Sequence, residues 1–185
     1  MGHSQAEKAE THARIVAIAA RRLRERGLDG VGVADLMKEA GLTVGGFYKH
    51  FASRDALVAE AVDASTGRWQ KRIAAGETPS AAELIDEYLS PDHRDNPGLG
   101  CPISALAPDL ARADAETRAV ATADIRRTIG LLAGLLADPP DDAARRRAML
   151  TYSALIGAVA VARVVDDDAL SRDILGAVAT ELKAP

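Results

Sequence analysis

Three features of the sequence predict an all-helical protein. Segments that alternate β-branched or aromatic residues with polar ones are nearly absent, alanine, leucine, arginine and glutamate dominate, and apolar residues recur at three- and four-residue spacing over long stretches. With 185 residues, 48% of them hydrophobic and 27% charged, the chain is long enough to bury a sizeable core in one or two small domains. The expected architecture is about nine helices, split between an N-terminal three-helix unit and a larger C-terminal helical domain.

The elements follow in order. From Ala9 to Arg26 the apolar positions Ile15, Ile18, Ala19 and Leu23 share one flank, and Gly27 offers a stop. Three compact units come next: Val33 to Ala40, closed by Gly41; Val44 to His50, with Thr43 as N-cap; and a longer helix beginning near Ser53, whose hydroxyl can cap it. That helix should run to about Ala75, with Leu57, Val58, Ala61, Val62 and Trp69 on its buried side, as a connector between domains. Gly76 to Pro79 is a break, Ser80 to Leu89 a short helix, and Pro91 to Gly100 (PDHRDNPGLG) reads as a loop. Pro102 suits a first helical turn, whereas Pro108 should kink or split the segment ending near Ala113. Helices are then expected from about Ala115 to Leu136, Asp141 to Val165 and Asp168 to Leu182.

The stretch VADLMKEAGLTVGGFYKHF, Val33 to Phe51, is the informative one. Leu36, Met37 and Ala40 can pack a first helix, Gly41 permits a sharp turn, and Leu42, Phe47 and Phe51 can anchor a second, which is the pattern of a helix-turn-helix. The opposite face carries Thr43, Val44, Gly45, Gly46, Tyr48, Lys49 and His50. Small residues at the helix start allow close approach to base edges, and the amides there attract phosphate. Taken alone, this spacing is equally compatible with a small three-helix core that happens to carry polar residues outside.

The longer phrase AGLTVGGFYKHFASRDAL, Ala40 to Leu57, resembles the tetracycline-repressor (TetR/AcrR) family of bacterial transcription regulators. It has that family's glycine turn, the Ser/Thr opening the recognition helix, the glycine before an aromatic–Tyr pair, the His–Phe pair, and the basic residue followed by an acid and a leucine. Arg54 stands where lysine is commoner. The resemblance covers residues 8–68, taken as the DNA-binding domain with its helix-turn-helix at 33–51. Residues 76–185, matching only in helical pattern, are taken as an effector-binding and dimerisation domain. By position, the resemblance implies that Thr43, Val44, Gly45, Gly46 and Lys49 lie at base edges and that Tyr48, His50 and Arg54 bind phosphate. It further implies a repressor released from double-stranded operator DNA by a small molecule.

A lone recognition helix makes few contacts, and a twofold dimer reading a palindrome is the general solution. The last two helices offer Leu150, Ala154, Leu155, Gly157, Ala158 and Val161, and then Leu170, Ile174, Leu175 and Val178, as an interface; the resemblance implies an intersubunit four-helix bundle there. Small residues from Ala105 to Ala113 and Leu131 to Ala137 allow either dense packing or an apolar cavity. The resemblance implies an effector pocket, placed among the helices starting at Ser80, Pro102 and Ala115, with Trp69, Tyr88, Cys101, Ile103, Leu106 and Tyr152 as lining.

Other readings are narrower. Cys101, the single cysteine, stands at a helix start that favours thiolate and suits an oxidant or electrophile sensor; a small buried hydrophobe is the alternative. Asp92, His93, Asp95 and Cys101 lack any familiar ligand spacing, so neither metal nor cofactor is expected. No nucleophile–base set or phosphate-binding glycine loop supports an enzyme. A net charge of −4 argues against a non-specific coat on nucleic acid, although the front of the chain, to Arg72, is basic in balance and the remainder acidic. The polar opening MGHSQAEKAETHAR and the short apolar runs point to a cytoplasmic protein without membrane contact. The rival to DNA binding is an interaction module that keeps the fold and binds protein.

Overall fold

The computed structural model describes residues 5–184, so the first four residues of the polar opening and Pro185 lie outside it. The described residues form ten α-helices and two short 3-10 helices, with no strand among them. They gather into two compact units. One comprises the chain up to Thr66 together with Cys101–Ala121; the other comprises Gly67–Gly100 and the chain from Thr122 onward.

In the first unit, α1 (Gln5–Arg26) buries Ile15, Val16, Ala19, Ala20 and Leu23, chiefly against α3 (Arg54–Ala64), which contributes Leu57, Val58, Ala61 and Val62. Gly27 ends α1 at φ +81°, its N–H on the Leu23 carbonyl. Short α2 (Val33–Glu39) closes with a Schellman motif: Leu42 N–H donates to Met37 O at 2.8 Å and Gly41 N–H to Lys38 O at 3.0 Å, with Gly41 at φ +73°. The glycine supplies the left-handed residue this turn requires. A 3-10 helix, Val44–Lys49, follows, and its Phe47 joins Phe51, Leu36 and Met37 in the core. Thr43 stands at its N-cap without a side-chain capping bond, whereas Ser53 caps α3 as expected, its Oγ accepting Ala56 N–H at 3.0 Å.

The connector differs from expectation. Rather than running to Ala75, the helix stops at Ala64, and α4 (Arg68–Ala74) begins after Gly67 at φ +69°. The Ser65 and Thr66 hydroxyls donate back to the Ala61 and Asp63 carbonyls, which competes with helix continuation. In the second unit the Gly67 N–H donates to buried Asp124 at 3.1 Å. Pro108 does not split α7 (Pro102–Leu110). It lies within the last turn, two residues before the helix ends at Leu110. The segment expected to be a loop contains α6 (Pro91–Asp95) and a 3-10 turn at Pro97–Leu99. Ser90 caps α6 and Pro91 occupies its first position, the arrangement in which proline favours a helix.

The second unit is built on α9 (Asp142–Val164) and α10 (Asp168–Lys183), with α5 (Ala81–Tyr88) against α10 and α6 against α9. Helix α8 (Ala115–Leu136) is shared: its residues to Ala121 belong to the first unit and the rest to the second. Charged side chains tie α6 down. Arg163 donates to the carbonyls of His93 and Arg94 at 2.8 and 2.9 Å, and Arg94 reaches Ser171 at 2.8 Å. By length and composition α9 could cross a membrane. Its Ala148, Tyr152, Leu155, Val159 and Ala162 flank, however, is buried in the unit's own core.

Candidate nucleic-acid interface

The turn and the recognition helix separate core residues from presented ones. Phe47 and Phe51 point inward, with ring centroids 5.4 Å apart, while Tyr48 is 77% exposed and Val44 50%. Thr43, Gly45 and Lys49 are also exposed, and Gly46 and His50 are half-buried. Gly46 is where the recognition helix comes close to α2, since a Cβ there would lie 3.6 Å from Met37 Cε. The seven residues Thr43–Gly46 and Tyr48–His50 thus lie on or beside one outward surface. In a 3-10 helix residues three apart eclipse, which aligns Gly45 with Tyr48 and Gly46 with Lys49.

Arg54 has a different task from the other seven. Its guanidinium donates to the Leu28 carbonyl, joining the start of α3 to the loop after α1. The Leu28 N–H donates to Asp109 Oδ2 at 3.1 Å, so both polar groups of this peptide region are held by charged side chains. On the flank of the recognition helix, the His12 ring of α1 stacks on Phe51 at 4.4 Å, its Nε2 2.6 Å from Glu60. Burial pushes the His50 imidazole below the usual histidine range, aided by positive charge at His12, Lys8 and Lys49. Its Nδ1 is shielded and has no hydrogen-bond partner.

A sequence profile of bacterial regulatory proteins of the tetR family matches residues 15–61, which span the later part of α1, the turn and most of α3. An uncharacterised HTH-type transcriptional regulator of Mycobacterium tuberculosis is 34% identical over 168 residues, covering 83% of this chain and 84% of its own length. This chain belongs to the tetR family. The likeness extends through the whole fold: a TetR transcriptional regulator from Chloroflexus aurantiacus superposes with a TM-score of 0.78 at 25% identity, over 96% of both chains. The reduced form of NemR from E. coli gives 0.78 at 20% identity, over 94% of this chain and 95% of that one. As a tetR-family member the protein is a helix-turn-helix transcriptional regulator and not an enzyme.

The residues read as effector lining fall in both units. Trp69 and Tyr88 meet edge to face at 5.7 Å in the second unit, where Tyr152 is also buried. Ile103 and Leu106 are core residues of the first unit, and half-buried Cys101 is the N-cap of α7 there. Among the described residues no cluster of histidine, cysteine or carboxylate side chains is arranged to hold a metal.

On the outer side of α9 and α10, Leu150, Val161 and Leu170 are exposed, as is Gly157, and Ala154, Ile174 and Val178 are half-buried. Leu155, Ala158 and Leu175 are buried instead in the core of the second unit. Sequence reading missed Met149 and Val164, the latter 83% exposed. For Val164 the signal was the spacing 150, 154, 157, 161 and 164, one line along the helix; Met149 lies beside that line. An open groove of about 560 Å³ lies on the same side, lined by Leu150, Ala154, Ala177, Val178 and Leu182, with Arg147 and Glu181 at its polar points.

Proposed function

We propose that this regulator binds a palindromic operator as a homodimer and acts as a repressor released by a small-molecule effector. The observation carrying the DNA-binding reading is the division of the recognition helix, where Phe47 is locked in the core while Val44, Tyr48 and Lys49 stand exposed beside two glycines. Thr43, Val44, Gly45, Gly46 and Lys49 would read base edges, and Tyr48 and His50 would take phosphates. Arg54, anchored on Leu28, contributes through whichever of its five donors that bond leaves free. Residues 8–68 form the reader and 76–185 the effector and dimer region, in a cytoplasmic protein.

The dimer reading rests on the apolar line of α9. A contiguous exposed stripe of this kind marks an interaction surface, and twofold pairing of the α9–α10 face would set two recognition helices on one duplex. An effector releases DNA to the extent that it binds the non-DNA conformation more tightly, with about 1–3 kcal/mol typical of such coupling. Thiol-controlled release is a second reading, favoured by the single thiol of the chain, Cys101, standing half-buried as the N-cap of α7.

The test is fluorescence anisotropy with duplexes selected from a random-sequence pool, for the native protein and Tyr48→Ala. Salt-sensitive preference for the selected duplex, weakened in the variant at unchanged dimerisation, is the expected result. Equal, background-level affinity for all duplexes would overturn the reading in favour of a protein-interaction module.

A further inference from the structure

The loop that joins α1 to α2 is tightly folded. Leu28 and Val31 are buried, the Gly30 N–H donates to the Gly27 carbonyl at 3.3 Å, and a Cβ on Gly30 would collide with the Arg26 carbonyl. Two charged side chains from distant parts of the chain hold Leu28 from opposite sides. Asp109 of α7 accepts its N–H on Oδ2 at 3.1 Å, and the Arg54 guanidinium of α3 donates to its carbonyl. The other oxygen of Asp109, Oδ1, meets Arg112 at 2.8 Å. A continuous path of hydrogen bonds therefore runs from α7 through one residue of the loop to the first residue of α3.

The path starts outside the segment marked by the sequence motif. Residues 8–68 carry the resemblance, yet α7 packs on α1, and Cys101–Ala121 belongs to the same compact unit as the recognition helix. At the other end, Arg54 is half-buried and opens α3 immediately after that helix and its turn. One guanidinium donor fixed on a carbonyl sets the direction of the others, whereas an unanchored arginine must give up its rotamer freedom on binding.

We propose that Asp109 is a positioning residue for DNA binding: by holding Leu28 it fixes the carbonyl that aims Arg54, which makes α7 a working part of the DNA reader. Asp109 touches no DNA itself. The proposal rests on the DNA-binding reading above and on Arg54 as one of its contacts. The sign of the effect distinguishes aim from simple electrostatics. Removing a carboxylate makes the protein less negative, which by itself leaves DNA binding unchanged or tightens it, whereas loss of aim weakens it.

The experiment measures anisotropy of the full-length protein with the selected duplex at fixed salt, for native protein, Asp109→Ala, Arg54→Ala and the double variant, with circular dichroism verifying the fold of each. Asp109→Ala should bind roughly two- to tenfold more weakly, the cost of immobilising one long side chain on binding. Asp109→Asn, which keeps an acceptor oxygen, should recover part of that loss. Adding Asp109→Ala to Arg54→Ala should weaken binding no further. Asp109→Ala that binds as tightly as native protein, or more tightly, overturns the inference. So does an equal further loss in the Arg54→Ala background, the mark of a general weakening of the fold, and so does native-like binding by Arg54→Ala. If Asp109→Ala does not fold, the same cycle with Asp109→Asn is read in the same way. Native protein with no preference for the selected duplex overturns the DNA-binding reading itself.

Discussion

Asp109 lies 81 residues after Leu28 in the chain, yet its carboxylate accepts the Leu28 N–H at 3.1 Å. Leu28 is buried, and the adjacent Gly27, at φ +81°, is so close to Asp109 that a Cβ would sit 2.9 Å from Oδ2. The Asp109 side chain is itself 28% exposed, so in Asp109→Ala water recovers part of the lost bond and the cost falls toward the lower end of the range for a buried donor. A buried donor left unsatisfied costs about 1–3 kcal/mol, and the ion pair with exposed Arg112 adds less than about 1 kcal/mol because solvent screens it. The expected destabilisation is about 1 kcal/mol, or roughly fivefold in the folding equilibrium. Asp109→Asn keeps an acceptor oxygen without the charge and should lose about half as much. Urea denaturation at fixed protein concentration reads the change, with concentration held constant because dimer formation would shift the midpoint. Hydrogen exchange at the Leu28 amide reads the bond directly. A loss below about 0.5 kcal/mol in Asp109→Ala with Leu28 protection intact would refute the argument.

Further outcomes can be checked alongside it. Gly100→Ala would place a Cβ 2.5 Å from His93 Nε2, and that ring is held by its Nδ1 bond to the Tyr88 carbonyl, so overpacking of about 1–3 kcal/mol should lower the thermal midpoint. An unchanged midpoint would mean the ring yields freely. Val164→Glu leaves the isolated subunit intact because the side chain is exposed, but in a twofold α9 interface it would bury two unpaired carboxylates. Sedimentation should then find monomer at concentrations where native protein is dimeric, and an undisturbed dimer would remove this face as the interface. Burial holds the His93 imidazole below the usual histidine value of 6.5, against the opposing Tyr88 bond. The unfolded chain therefore binds a proton that the folded chain resists, so this contribution to stability is complete above about pH 6.5 and declines as pH falls toward the depressed folded value. His93→Gln should flatten the acid side of a stability–pH curve, and an identical curve would show that His93 does not govern it.

What could be read from the sequence was set by neighbours close along the chain. The turn at Gly41, the cap at Ser53 and the span of α8 through α10 depend on residues within one or two helical turns, so local propensity and spacing predict them. The recognition-helix face follows for the same reason, because the wholly apolar rings of Phe47 and Phe51 mark the core side while Tyr48 carries a hydroxyl that suits the outside. The short α6 was legible too, in the Ser90–Pro91 pair, but proline and glycine content obscured it. Tertiary structure decided the rest. The break after Ala64 is satisfied by Asp124, 57 residues beyond Gly67, and the binding of α7 into the first unit by Asp109 and the Leu28 peptide. Arg54 took on a backbone carbonyl that a motif cannot foresee. Along α9, apolar spacing identified a sticky helix but not which flank is spent on the subunit's own core, since Leu155 and Val161 are equally apolar and only packing buries the one and exposes the other.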